Sequence, residues 1–76
     1  MTQQITKALR AAAQSIRADY RNSIKRYSRL DRKSRRGNGL DFEESEAHDF
    51  EDGFSSALHL ALGHLVRELA AIGITL

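Results

Sequence analysis

Glu44, His48 and Asp52 recur every fourth residue in LDFEESEAHDFED, with His59 roughly in line beyond them. On a helix these positions share one face, so two carboxylates and an imidazole could hold a divalent cation. Three such groups on an open helix also describe an ordinary solvated face, the better reading here. His59 and His64 stand five residues apart, too far around a helix to chelate together. His64 is expected to pack at the core edge. Ser, His and acidic residues are present, but nothing places them in a water-excluded cleft, which a small helical scaffold hardly forms. A Gly-rich phosphate loop is absent. The expectation is therefore no enzyme activity, no cofactor, no metal centre and no small-molecule substrate.

The cations are the stronger signal. Residues 1–36 hold eleven Lys/Arg against Asp19 and Asp31, a balance of +9. Residues 37–76 hold Arg67 against eight Asp/Glu, a balance of −7, so the net charge of +2 conceals a division into halves. Such asymmetry speaks of partners and association more than of fold. Projected at about 100° per residue, all eleven cations of the first half lie opposite its apolar stripe, on a face about 45 Å long. A solvated face normally mixes signs at i,i+4 spacing, and this one does not. It reads as a phosphate-binding surface in which Arg10, Arg17, Arg21, Lys25, Arg29, Arg32, Lys33 and Arg36 carry the contacts. Tyr20 and Tyr27 interleave with these cations in DYRNSIKRYSR. They belong to the apolar stripe, so packing with an exposed hydroxyl is expected rather than base stacking.

Two elements must position these groups. Ile5, Leu9, Ala12, Ile16, Tyr20, Ile24, Tyr27 and Leu30 recur at helical spacing, as do Ala47, Phe50, Phe54, Leu58, Ala61, Leu65, Leu69 and Ile72. The reading is a single helical domain over 1–76: a helix over 3–36, a Gly-Asn-Gly turn over 37–40, and a helix over 41–72. Thr2 is the expected cap of the first helix, and Asp41 with Glu44 forms the capping box of the second. Gly73 suits a left-handed ending with Ile74 folded back on Leu69. Gly53 could kink or split the second helix, although Phe50, Phe54 and Leu58 keep phase across it. Partners across an antiparallel hairpin have a constant residue-number sum. Tyr27 with Phe50 and Ile16 with Ala61 both give 77, as do several other stripe pairs. The fold class is thus all-α, an antiparallel helical hairpin, with the acidic arm laid beside the most basic stretch of the other.

Beyond Gly53 the chain is more apolar than one facing helix can cover. Leu58, Leu62, Leu65, Val66 and Leu69 are expected in an interface, most economically a homodimeric four-helix bundle. MTQQITKALRAAAQ lacks a signal-peptide core and no run approaches a membrane span, so a cytoplasmic protein without membrane contact is expected.

Composition and charge support a small non-catalytic binding protein whose partner is nucleic acid or a nucleic-acid-bound protein complex. The 76-residue length, the absence of Cys and the split between KRYSRLDRKSRR and DFEESEAHDFED resemble the small inhibitors that phages and other mobile elements encode, including anti-CRISPR proteins. The resemblance implies inhibition by occupying a nucleic-acid-binding or recruitment surface of a CRISPR effector complex, and it assigns no residue a role. An antitoxin-like or structural subunit, completed by another polypeptide, is the third reading.

Overall fold

The computed structural model describes residues 2–76, and the side chain of Thr2 is not among the described groups. It contains two helices, α1 (Thr2–Ser34) and α2 (Phe42–Ala71), packed as an antiparallel hairpin measuring 55 × 18 × 15 Å. Among the described residues there is no strand. The Thr2 cap involves groups outside the described residues.

α1 ends two residues before its expected limit. Arg35 and Arg36 donate to the carbonyls three residues back, Arg32 and Lys33, tightening the chain into the turn. Gly37 (φ +41°) and Gly39 (φ +72°) then take left-handed conformations, and the Gly39 amide donates to Arg36 O at 2.8 Å. An L side chain at either position would be strained, so Gly-Asn-Gly is where the chain reverses.

Both expected caps of α2 are present. The Glu44 amide donates to Asp41 Oδ1 at 2.8 Å, and the Asp41 amide donates to Glu44 Oε1 at 3.3 Å. At the other end the Ile74 amide donates to Leu69 O at 2.9 Å and the Gly73 amide to Ala70 O at 3.0 Å, with Gly73 at φ +86°. This is a Schellman ending.

α2 runs unbroken through Gly53. A Cβ built on Gly53 or Gly63 would meet no atom within 4 Å. Gly53→Ala is therefore expected to stabilise the protein by about 1 kcal/mol, since alanine restricts the unfolded chain and fits the helix. Gly73→Ala is expected to destabilise by a similar amount, about 1 kcal/mol, because its φ is left-handed. Chemical denaturation of the two variants reads both signs.

The helices meet along a seam of period 3.5. Leu9, Ala13, Ile16, Tyr20, Ser23, Tyr27 and Leu30 alternate at four and three residues on α1. Glu44, His48, Glu51, Ser55, Leu58, Leu62, Leu65 and Leu69 do so on α2. All are buried or half-buried, and the alternation is the heptad rule of a coiled coil. Small residues hold the tightest points: Ala13, Ser23 and Ser55 are buried.

This corrects the stripes expected from hydrophobicity. Ala13 and Ser23 take the places assigned to Ala12 and Ile24, and on α2 the seam shifts one residue on, from Ala47, Phe50 and Phe54 to His48, Glu51 and Ser55. Tyr27 does not pair with Phe50; it stacks on His48, ring centroids 4.7 Å apart. Phe50 is 63% exposed and stacks on Phe54 at 5.5 Å. Ala61 is exposed rather than opposed to Ile16, and Ile5 and Ile72 are largely exposed as well. The shift has a physical cause: turned inward, the polar residues of α2 find partners on α1. Ser23 Oγ donates to the Glu51 carboxylate, and no buried side-chain nitrogen or oxygen among the described residues lacks a partner.

Candidate nucleic-acid interface

Each of the eleven cations in the first half is expected to face outward; the structure engages some of them within the chain and leaves a cluster free near the turn, with Lys7 exposed by itself near the start of α1. Four are engaged within the chain beyond their own helix. Arg26 Nε donates to Glu51 Oε1 at 2.6 Å, and Lys33 pairs with Glu44. Arg10 Nε donates to Thr75 O at 3.1 Å, and Arg17, half-buried, reaches Leu76 O at 3.3 Å. Arg35 pairs with Asp31 one turn back, at 3.1 Å.

The free cluster is Arg21, Lys25, Arg29, Arg32 and Arg36. All five are exposed, and none has a carboxylate within ion-pair distance among the described residues. Arg21, Lys25, Arg29 and Arg32 repeat at spacings of four, four and three in one stripe along the outer face of α1, spanning about 16 Å, and Arg36 follows two residues past the helix end. At the turn end the stripe opens into a shallow depression of about 400 Å³ lined by Arg29, Arg32, Lys33 and Arg36 alone. Of the eight cations singled out from the sequence, the structure thus brings together Arg21, Lys25, Arg29, Arg32, Lys33 and Arg36. It draws Arg10 and Arg17 away to the C-terminal segment.

Cross-helix pairing explains why the sign division does not cancel. Among the described residues, Glu44 and Glu51 are the carboxylates of α2 that reach cations of the first half. Hydrogen bonds from Arg26 and Ser23 hold the Glu51 carboxyl below the ordinary carboxylate range, against the desolvation that opposes them. Lys33, with the Asp41 amide, does the same for Glu44. The Arg26 guanidinium is raised in turn by its bond to Glu51. Glu43, Glu46 and Asp52 remain exposed and unpaired among the described residues, spread around the outer side of α2.

The histidines are absorbed structurally. His48 Nε2 lies 3.3 Å from Asp31 Oδ1 while its ring stacks on Tyr27, and His59 lies against Tyr20 with centroids 5.6 Å apart. Glu44 and His48 thus both turn towards α1, while Asp52 stays exposed, so the three do not form one outward-facing set. His64 departs from its expected place at the core edge: it is exposed, and Arg67 Nη2 lies 3.0 Å from its Nδ1. Leu58, Leu62, Leu65, Val66 and Leu69 are half-buried, four of them on the α1-facing seam, so the hairpin itself occupies much of the surface assigned to an oligomer.

No helix among the described residues is long and apolar enough to cross a membrane. The chain matches no family model, no curated protein and no solved structure.

Proposed function

We propose that this protein is a non-catalytic binding module whose α1 stripe engages the phosphate backbone of nucleic acid, alone or within a nucleic-acid-bound complex. The observation that carries the reading is the unneutralised set of Arg21, Lys25, Arg29, Arg32 and Arg36, ending in a depression that cations alone line. Five like charges set close together along and just past α1 repel one another, and a polyanion relieves that repulsion. Arginine forks suit phosphate oxygens in two-point contacts. The stripe offers no base-reading geometry, so the contacts are with backbone and independent of sequence.

Titration of a labelled duplex at increasing salt tests this. Five phosphate contacts give a log K against log[salt] slope of about −4.5. A flat plot, or no binding at low salt, overturns the reading.

The exposed, unpaired carboxylates Glu43, Glu46 and Asp52 on the outer side of α2 favour one second reading, an inhibitor resembling the phage-encoded class. Here the acids occupy a cationic nucleic-acid-binding surface of an effector complex. Competition separates the two: the module binds added DNA itself, whereas the inhibitor displaces DNA from its target without binding it.

A further inference from the structure

The shift of the seam leaves an apolar strip on one flank of the hairpin, formed by Phe50, Phe54, Ala61 and Ile72 of α2 with Ile5 of α1. Phe50, Ile72 and Ile5 are 63%, 72% and 58% exposed. Helix projection puts the α2 members on one side, next to the α1 edge that carries Ile5, Ala8 and Ala12. Between Phe50 and Ile72 on that side of α2 the charged residue is Glu68, and the adjacent edge of α1 carries Asp19 and, paired with Glu51, Arg26.

We infer that a second copy of this chain covers the strip, making an isologous four-helix assembly. Area is the first argument. The chain exposes 5898 Å², whereas a self-sufficient monomer of its mass exposes roughly 4,700 Å². The excess of about 1,200 Å² per chain falls within what a stable dimer buries on each partner. Symmetry of the strip is the second. Phe50 and Ile72 each lie eleven residues from Ala61, about 16 Å along the helix. A two-fold axis crossing the hairpin near Ala61 sets the Phe50–Phe54 end of one copy against the Ile72–Ile5 end of the other. The small residues at the centre allow close approach, and the match is self-complementary, as a closed dimer requires. Charge is the third. This arrangement sends the two basic turns to opposite ends of the assembly, which lowers their repulsion. The inference rests on apolar residues and not on the Arg21–Arg36 cations, so it stands independently of the proposed function.

Sedimentation equilibrium up to about 200 μM tests it. The expected mass is twice the 8.5 kDa of the chain. Phe50→Gln with Ile72→Gln raises the dimer dissociation constant at least about 100-fold. Leu60→Gln, at an equally exposed residue on the other flank, leaves it unchanged. The chain contains no Cys, so single cysteines give a second readout that needs no destabilising substitution. Ala61→Cys is expected to oxidise to a disulfide-linked dimer, and Leu60→Cys to remain monomeric in denaturing gels. A wild-type mass of one chain at the highest concentration overturns the inference. So does a dimer indifferent to Phe50→Gln/Ile72→Gln, or crosslinking at Leu60→Cys but not at Ala61→Cys.

Discussion

Replacing Arg29, Arg32 and Arg36 together by Gln lowers affinity for duplex DNA by at least about 100-fold at low to moderate salt, and flattens the log–log salt slope by about 2.7. Each cation that neutralises a phosphate releases close to one counterion, so removing three removes most of the entropic drive of a five-contact interface. These three also line the depression at the turn end. None bonds to α2, so helical content should not change. Arg10→Gln with Arg17→Gln is the informative contrast. Those guanidiniums are spent on the Thr75 and Leu76 main-chain oxygens, so their loss should leave the slope nearly unaltered. Equal losses from the two sets would mean that overall charge, and not the stripe, governs binding.

Glu51→Ala is expected to destabilise the hairpin by about 2 kcal/mol, since it leaves the buried Ser23 hydroxyl without its carboxylate acceptor and opens a gap. For a chain of this length that lowers the melting temperature by roughly 10 °C. Ser23→Ala with Glu51→Leu should restore most of the loss, because an apolar pair of similar volume has nothing to desolvate. The pH dependence follows from the same contacts. The folded-state pKa of Glu51 and Glu44 lies below the ordinary value of 4.5. Their contribution is therefore complete above the unfolded-chain pKa and is lost as pH falls through the lower folded values. The melting temperature of the wild type should be level near neutrality and decline below about pH 4.5, and the decline should be shallower in Glu51→Ala.

Much of the fold was legible from local chemistry. The Gly-Asn-Gly reversal, the Asp41–Glu44 box and the Gly73 ending are each written in a few adjacent residues whose conformational demands have few solutions. The phase of α2 was not legible, because ranking positions by hydrophobicity favours Phe50 over Glu51 at every step. What reverses that ranking is nonlocal: Ser23 and Arg26 must already stand opposite Glu51 before its carboxylate becomes a good seam residue. The alternation of four and three residues that links Ala13, Ser23 and Tyr27 was the available signal, hidden because Ser23 sits beside Ile24. The same error concealed which cations are free. Helix projection places Arg26 and Lys33 on the outer half, yet both side chains are long enough to reach carboxylates at the seam edge. Arg10 and Arg17 could be seen to have partners only once the segment after Gly73 was placed beside α1.

The phase of α2 decides which cations are paired, which remain for phosphate and which apolar strip stays open. Two tyrosines, three histidines and three phenylalanines make a small aromatic set, so nuclear Overhauser contacts in the native protein test that phase directly. The expected result is strong cross-peaks from the Tyr27 ring to His48 and from Tyr20 to His59, with Phe50 contacting Phe54 within the chain. Intrachain cross-peaks from Tyr27 to Phe50, with none to His48, would contradict it.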